Sequence, residues 1–263
     1  MLYLTCFLVT FAACVLGTVC GMGGGIIIKP VLDAVGVMSV AAVTFLSGCT
    51  VIAMSCWNVG KTALKREAAL DLHSTPFLAL GAALGGLAGK KLFQLAAAQF
   101  TGQNMAGGVQ ACLLFCATFA TLLYTIKKNK FHPKHVRSQM AALGIGLFLG
   151  LLGAFLGIGG GPINLVVLGY CFSMDTKVAA QNSLYIILFS QIANLLTTLI
   201  TRSVPAFDIL TLVLMVCGGI GGGMIGRKLN KKLDNKAVDK LFIALMAVII
   251  GISLWNVWQY SGV

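Results

Sequence analysis

Acidic residues are scarce in this sequence. Seven Asp and Glu residues stand against 19 Lys and Arg in a chain of 263 residues, and only 10% of the residues are charged. Asp33 is the one acidic residue well inside an apolar segment, and the three histidines, His73, His132 and His135, lie between such segments. A cation or metal permease places carboxylates or imidazoles within its spans, so the sequence disfavours that class.

The signatures of enzymes, cofactor sites and nucleotide-driven pumps are also missing. The nine cysteines include no Cys-x-x-Cys pair, a usual spacing of metal and redox sites. No Gly-x4-Gly-Lys-Ser/Thr motif is present, which argues against direct drive by ATP. No nucleophile stands beside a base within the apolar segments, so we expect neither an enzyme nor a bound cofactor.

Apolar sequence dominates what is present. Hydrophobic residues make up 58% of the chain and form runs of about 17–25 residues, the length that crosses a lipid bilayer as a helix. We therefore predict an all-α polytopic membrane protein. The net charge of +12 does not indicate nucleic-acid binding, because the basic residues stand in short segments between the apolar runs, where they act as orientation signals.

Three blocks of sequence occur twice in the same order. The glycine-rich block at residues 21–28 (GMGGGIII) returns at 157–164 (GIGGGPIN), at an offset of 136. Two further pairs are 40–44 with 178–182, at an offset of 138, and 85–92 with 222–229, at 137. These blocks indicate an internal duplication, with a first repeat over residues 1–126, a basic linker over 127–137 and a second repeat over 138–263.

Each repeat is predicted to contain a first span, a short motif helix and three more spans. In the first repeat they fall near 2–20, 25–37, 40–60, 74–92 and 105–126, and in the second near 138–157, 162–173, 178–200, 207–226 and 239–259. The prediction is therefore eight full spans and two short motif helices.

The basic residues indicate whether a motif helix returns the chain to the side from which it came. If the motif helix does not return the chain, so that each half has four crossings, the eighteen basic residues outside the motif helices divide nine to nine. If the first span and the motif helix form a returning hairpin, they divide fifteen to three, with only Lys90, Lys91 and Arg202 on the poorer side. The positive-inside rule favours the hairpin. It predicts two inverted repeats, a cytoplasmic linker and both termini outside.

Each glycine cluster is predicted to begin its motif helix, because Pro162 follows the second cluster and proline is favoured at the first helical position. A helix N-terminus exposes unpaired N–H groups and a partial positive charge, and two such ends form a site for a small anion. The alternative is that the glycines serve only close helix crossing. The predicted binding glycines are Gly23, Gly24, Gly25, Gly159, Gly160 and Gly161.

Polar side chains extend this predicted site. Gln181, Asn182 and Ser183 stand together in an apolar setting, Thr44 takes the matching place in the first repeat, and Asn164 ends the second glycine block. Amides and hydroxyls donate hydrogen bonds to an oxyanion. The alternative role for these side chains is hydrogen bonding between helices.

Lys29 is the one basic residue within a motif helix. A charge inside the membrane is costly and indicates function, so Lys29 is a candidate for attracting the anion. Alternatively it pairs with Asp33, four residues further along the helix.

Two further glycine series have the spacing of closely packed helices. They predict helix contacts within the protein or between the subunits of a homodimer. The series are Gly81, Gly85 and Gly89, and Gly218, Gly222 and Gly226.

The paired Gly-x-Gly-Gly-Gly motif, each followed by an apolar run and a span that opens Ala-Ala-Val-Thr or Ala-Ala-Gln-Asn-Ser, resembles the TauE/SafE sulfite exporter family. The resemblance covers essentially the whole chain. It implies a secondary transporter of the inner membrane for sulfite, an organosulfonate or another small sulfur-containing anion. The alternatives are a transporter of a non-sulfur organic anion and the disfavoured cation or metal permease.

Overall fold

A computed structural model describes residues 2–36, 38–64, 70–98, 103–130, 132–157 and 159–260. In these ranges the chain forms ten α-helices and one short 3-10 helix, and no strand. Lys65, Arg66, Ile158 and both chain ends, which the sequence predictions use, lie outside the described residues. The helices are α1 Leu2–Cys20, α2 Gly25–Val35, α3 Val40–Leu64, α4 Thr75–Ala98, α5 Gln103–Lys127, α6 Gln139–Phe155, α7 Gly161–Phe172, α8 Thr176–Ile200, α9 Ile209–Lys232 and α10 Asn235–Tyr260.

Six of these helices, α1, α3, α5, α8, α9 and α10, are long and apolar enough to cross a membrane. The sequence predicts eight such spans, and the two that differ are α4 and α6. Helix α6 has 17 residues, and α4 carries four glycines with Lys90 and Lys91. The motif helices α2 and α7 have 11 and 12 residues, so they extend only about 17–18 Å at 1.5 Å per residue.

Helices α4 and α6 pack backbone against backbone. A side chain added at Gly81, Gly85 or Gly89 would collide with main-chain atoms of α6, and one at Gly146 or Gly150 with main-chain atoms of α4. The second glycine series does the same, because Cβ atoms at Gly222 and Gly226 would collide with the carbonyls of Phe11 and Val15 in α1. The close packing predicted for both series is therefore found within one chain.

Each of the following contacts between a helix of the first half and a helix of the second half is matched by a contact between the corresponding helices with the halves exchanged. Helix α1 packs on α9 as α6 packs on α4, α3 packs on α9 as α8 packs on α4, and α2 meets α10 as α7 meets α5. Helices α3 and α8 are each 25 residues long and begin 136 residues apart. At this offset, Ser183 corresponds to Ser47 and Thr44 corresponds to Ala180. The sequence blocks, at an offset of 138, match Thr44 with Asn182 instead.

Hydrogen bonds bring helix ends from both halves to one face of the molecule. Arg227, near the end of α9, donates from Nη1 to Thr62 Oγ1 near the end of α3, at 2.6 Å. Thr75, at the start of α4, donates from its hydroxyl to Asn182 Oδ1 near the start of α8, at 2.7 Å.

The linker lies on the same face, which we call the linker face. The N–H of Lys134 donates to the carbonyl of Tyr170 at 2.7 Å. Lys128 forms an ion pair with Asp239 at the start of α10, and Thr176 at the start of α8 donates to the same carboxylate at 2.8 Å. The linker and the turn between α9 and α10 therefore stand on one side.

The opposite face holds the other ends of the same helices. Lys90 of α4 donates to Thr198 Oγ1 near the end of α8, and the rings of Phe45 and Phe207 lie 5.2 Å apart near the starts of α3 and α9. The 25 residues of α8 extend about 37 Å at 1.5 Å per residue and so connect the two faces.

Candidate functional site

The first hairpin consists of α1, the loop at residues 21–24, and α2. The chain turns through Gly21 and Gly23, which have φ of 74° and 72°, a region that glycine enters without strain. At Gly21 only hydrogen fits, because a Cβ would lie within 3 Å of the backbone of Ala180 in α8. Helix α2 then begins at Gly25, with Gly24 as its N-cap.

The second hairpin repeats this geometry between α6 and α7. Gly157, Gly159 and Gly160 have φ of 70°, 69° and 84°. Helix α7 begins at Gly161 with Pro162 in its first turn. Each motif helix therefore starts at its predicted glycine cluster, and a glycine at the N-cap supplies no side chain to cover the first N–H groups.

The two hairpin loops touch one another. A Cβ at Gly161 would collide with the carbonyl oxygen of Met22 in the first loop. The glycine sequence thus permits the N-terminus of α7 to lie directly against the loop that leads into α2. This contact brings together the two glycine clusters that lie 136 residues apart in sequence.

Asn164 lies in the first turn of α7 and is only 1% exposed. Neither its Nδ2 nor its Oδ1 has a hydrogen-bond partner among the described residues. Its Oδ1 is 2.9 Å from the position that a Cβ of residue 160 would occupy. Leaving a buried polar group unsatisfied costs about 1–3 kcal/mol, so this amide is available to a ligand at the helix start.

Lys29 extends from the first hairpin to the second. It is 6% exposed, and its Nζ donates to Gln110 Oε1 at 2.7 Å. Gln110 in turn donates from Nε2 to the carbonyl of Phe155, the last residue of α6, at 3.0 Å. A Cβ at Gly157 would lie 2.6 Å from the Lys29 ammonium, which therefore stands beside the second glycine loop.

Lys29 does not form an ion pair with Asp33, its predicted alternative partner, although the two opposite charges still attract each other. No ion pair within 4.0 Å joins Lys29 to Asp33 in the described part of the chain. One carboxylate oxygen of Asp33 is buried with no hydrogen-bond donor among the described residues. The Lys29 ammonium instead lies near the carbonyl end of α6, where the helix dipole favours a positive charge.

Two amides that the sequence-based site does not include also lie in this region. One is Gln110, and the other is Gln191, whose Nε2 would lie 2.5 Å from a Cβ at Gly159. Gln110 is the one amide in the apolar stretch from Gly108 to Cys116. A buried amide in an apolar span is the signal that identifies such residues.

The polar cluster at the start of α8 is tied to protein groups. Asn182 Oδ1 accepts from the N–H of Asp71 at 3.0 Å as well as from Thr75, and its Nδ2 donates to Val178 O at 2.8 Å. This is the interhelical role that sequence analysis held as the alternative.

The other members of this predicted cluster differ from one another. Gln181 Oε1 accepts from Thr62 at 3.4 Å, and Thr44 donates to Val40 O within its own helix at 2.7 Å. Ser183 is fully buried, and its hydroxyl has no partner within the described ranges.

A cavity of about 420 Å³ lies beside α7 on the linker face. Leu165 and Val166 of α7 line one wall, and Thr176 and Asp239 line another. The cavity reaches α7 one turn after its glycine start.

Groups that would hold a metal ion are not found in the described ranges, where no three His, Cys, Asp or Glu side chains come together. The hairpin region offers N–H groups, amides and one ammonium, all of which interact favourably with an anion.

The long apolar helices and the paired broken hairpins define a multi-pass helical membrane protein. The family model for "Sulfite exporter TauE/SafE" matches residues 6–254, and the chain therefore belongs to that family. The family indicates a membrane transporter of sulfur-containing anions and is consistent with a protein that is not an enzyme. No curated protein and no solved structure matches the chain.

Proposed function

We propose that this protein is a secondary transporter of a small oxyanion, sulfite or an organosulfonate, in the inner membrane. The anion binds where the two glycine hairpins meet. The observation that carries the proposal is Asn164, a fully buried amide with no partner among the described residues. It stands in the uncapped first turn of α7, against the loop of the other hairpin.

The two hairpins supply different groups to the anion. The second hairpin supplies the N–H groups at the start of α7 and the amide of Asn164, with Gln191 beside Gly159. The first hairpin supplies the start of α2 and the Lys29 ammonium, which stands beside Gly157. Fixed donors of this kind replace the water that an oxyanion loses inside a membrane, and a charged donor contributes most.

We further propose that the halves are inverted repeats, with the linker in the cytoplasm and both termini outside. The support is the common face shared by the linker and the turn between α9 and α10. An arrangement in which the motif helices do not return the chain, with four crossings in each half, would separate them. Single-cysteine reporters at Lys130 and Lys236, in a variant without the native cysteines, should both be accessible from the cytoplasm. Accessibility from opposite sides would contradict the inverted arrangement.

The function is tested by anion binding to the purified protein. Sulfite, thiosulfate, sulfate, sulfoacetate, a carboxylate such as acetate and a divalent metal ion are compared by calorimetry. We expect sulfite or sulfoacetate to bind and the metal ion not to bind. Metal binding without anion binding would support the cation permease instead, and selective acetate binding would support a carrier of non-sulfur anions.

A matched pair of variants tests the site. Asn164→Leu should weaken anion binding about 5- to 150-fold, the equivalent of about 1–3 kcal/mol for one buried hydrogen bond. It should leave thermal stability unchanged or raised, because it removes an unsatisfied polar group. Asn182→Leu, which breaks three bonds to protein, should lower stability. Unchanged anion affinity in a folded Asn164→Leu protein would remove Asn164 from the site.

A further inference from the structure

Asp33 stands in the last turn of α2, which ends at Val35. The last carbonyls of an α-helix carry a partial negative charge, so this end of the helix favours a cation and disfavours a carboxylate. Asp33 is partly exposed, but its Oδ1 is buried and accepts no hydrogen bond from the described residues. The helix that carries this acid therefore does not stabilise it.

The duplicated fold does not require an acid at this place. Helix α7 takes the role of α2 in the second hairpin and begins 136 residues later. At this offset the counterpart of Asp33 is Gly169. The carboxylate is therefore a feature of the first hairpin alone, and the shared backbone does not explain it.

Helix α10 bonds to the turn of α2 that carries Asp33. Asn256 donates from Nδ2 to the carbonyl of Pro30 at 3.3 Å. In an α-helix the side chain three residues after a carbonyl lies on the same side as that carbonyl, as Ser47 shows by bonding to the carbonyl of Thr44 at 3.1 Å. Asp33 stands three residues after Pro30. The bond therefore brings the amide of Asn256 to the side of α2 from which Asp33 projects.

Two buried oxygen atoms on this side of α10 have no partner among the described residues. Asn256 is 4% exposed, and its Oδ1 is one of them. The other is the hydroxyl of Ser253, which is 1% exposed and lies three residues earlier on the same face of the helix. Buried polar atoms are costly to leave unsatisfied, so these oxygens indicate a ligand.

The chemistry of these atoms selects a cation. A carboxylate oxygen, an amide oxygen and a hydroxyl oxygen all present lone pairs, and the carboxylate repels an anion. Hard cations take oxygen ligands of these kinds. In secondary transporters the carbonyl ends of broken helices coordinate the Na⁺ that accompanies the substrate, and Asp33 stands at such an end of α2.

Few charged residues belong to the helices packed on α2, which are α1, α3 and α10. Helix α1 has none, α3 has only Lys61 near its other end, and α10 has none after Lys240. Lys29, one turn before Asp33 on α2, is the remaining charge on these helices. Its ammonium bonds to Gln110 beside the second glycine loop and forms no ion pair with Asp33.

Binding of the anion changes the charge balance at Asp33. Before binding, the Lys29 ammonium attracts the Asp33 carboxylate from a distance. An anion at the glycine loops neutralises Lys29 and leaves the carboxylate without a counter-charge. A cation at Asp33 then restores the balance, so each ion binds more tightly when the other is present.

We propose that Asp33, Asn256 and Ser253 form a binding site for Na⁺, which binds together with the anion. The ion approaches from the face opposite the linker, where α10 ends and where α2 ends shortly before the start of α3. This inference rests on the proposed function, and it supplies the ion to which transport of the anion is coupled.

The measurement is sulfite binding to the purified protein by calorimetry, in sodium salts and in choline salts of equal concentration and pH. Sulfite should bind about 5- to 150-fold more tightly in sodium, the range typical of coupling between two sites. Choline carries the same charge and is too large for the site. It therefore separates sodium binding from the general screening effect of salt.

Two variants and a matched control locate the sodium effect. Asp33→Asn removes the charge and keeps the shape, so sulfite affinity should become equal in sodium and choline. Ser253→Ala removes an oxygen that bonds to nothing else among the described residues, so it should fold normally and reduce the sodium effect. The control is Asp208→Asn, because Asp208 is an exposed acid on the same face that caps α9. Asparagine also caps helices, so this variant should keep the full sodium effect.

The outcomes separate this inference from the proposed function. Equal sulfite affinity in sodium and choline for the unaltered protein, or a sodium effect that persists in Asp33→Asn and Ser253→Ala, would overturn the sodium site and leave the central anion site standing. A gain in affinity at lower pH in choline that disappears in Asp33→Asn would assign the site to a proton and overturn Na⁺. No anion binding in either salt would overturn the proposed function, and the sodium site with it.

Discussion

The two glycine hairpins share a backbone and differ in their side chains. Both turn through glycines at φ near 70°, and both place a glycine at the start of a short helix. The first hairpin carries Lys29 and is faced by Val51 and Ile187, whereas the second carries Asn164 and is faced by Gln191. The duplicated backbone has thus been kept while the polar groups have diverged, with charge on one hairpin and amides on the other.

Crowding explains why the backbone could not diverge. In the first hairpin a Cβ at Gly17 would collide with Gly23, and in the second a Cβ at Gly153 would collide with Gly160. The arms of both hairpins approach so closely that only hydrogen fits between them. The side chains of Lys29 and Asn164 are not among the atoms that a Cβ at Gly17 or Gly153 would meet, so they do not have this constraint.

The largest effect on stability is expected at Gly21. A Cβ there meets the backbone of Ala180, which cannot move as a side chain can. Gly21→Ala should lose about 2–5 kcal/mol, the sum of left-handed strain of about 1–2 kcal/mol and overpacking of about 1–3 kcal/mol. Thermal unfolding of the purified protein measures this loss.

Gly36 and Gly157 are the controls for this prediction. Gly36 has φ of 66° with no atom within 4 Å of an added Cβ, so Gly36→Ala should lose only the strain of about 1–2 kcal/mol. Gly157→Ala displaces Lys29 and Gln110, so it should fall between the two in stability and should also weaken anion binding. A loss at Gly36 as large as that at Gly21 would contradict the crowding argument.

The next effect concerns the charge of the first hairpin. Lys29→Met should weaken anion affinity about 10- to 150-fold, since hydrogen bonds to charged groups contribute about 1.5–3 kcal/mol. Lys29→Arg should retain part of the affinity. The double variant Lys29→Met with Asp33→Leu should recover stability without recovering affinity. Normal affinity in the double variant would show that Lys29 only balances Asp33.

The smallest effect concerns Gln191, the amide of α8 that faces the second hairpin. Gln191→Leu should weaken anion affinity about 5- to 10-fold, the value of roughly one neutral hydrogen bond. Its counterpart at the offset of 136 is Ser55, a buried hydroxyl with no partner among the described residues. Ser55→Ala should leave affinity unchanged, so calorimetry on the two variants sharpens the contrast between the hairpins. Equal losses of anion affinity in the two variants would mean that α3 and α8 each contribute a polar side chain to the site.

Local sequence predicted most of the helices and the two glycine breaks that precede the motif helices. Apolar runs of helical length and glycine breaks in otherwise continuous runs are local signals, and α2 begins at the predicted residue 25 and α7 at 161, one residue before the prediction. The two spans that do not meet the length and composition of a membrane helix, α4 and α6, are those that pack most closely on each other through glycines. Which helix each of them packs on is determined by the tertiary structure.

The partners of polar side chains were harder to predict. Asp33 is a predicted partner of Lys29 because it lies four residues further along the same helix. In the structure the Lys29 ammonium bonds instead to Gln110, which is 81 residues away. Asn164 follows a glycine cluster and Asn182 lies near the start of the next span, and only the fold separates the bonded amide from the unbonded one. The offset of 138 at the start of α8 was also misleading, because Val-Ala-Ala occurs in both helices two residues out of structural register.

The central claim is that the two hairpins form one shared anion site. The most direct test is the stoichiometry of sulfite binding to the purified protein by calorimetry, repeated with Lys29→Met and with Asn164→Leu. We predict one anion per chain, weakened by either substitution. Two anions per chain, each lost with a different substitution, would contradict a shared site.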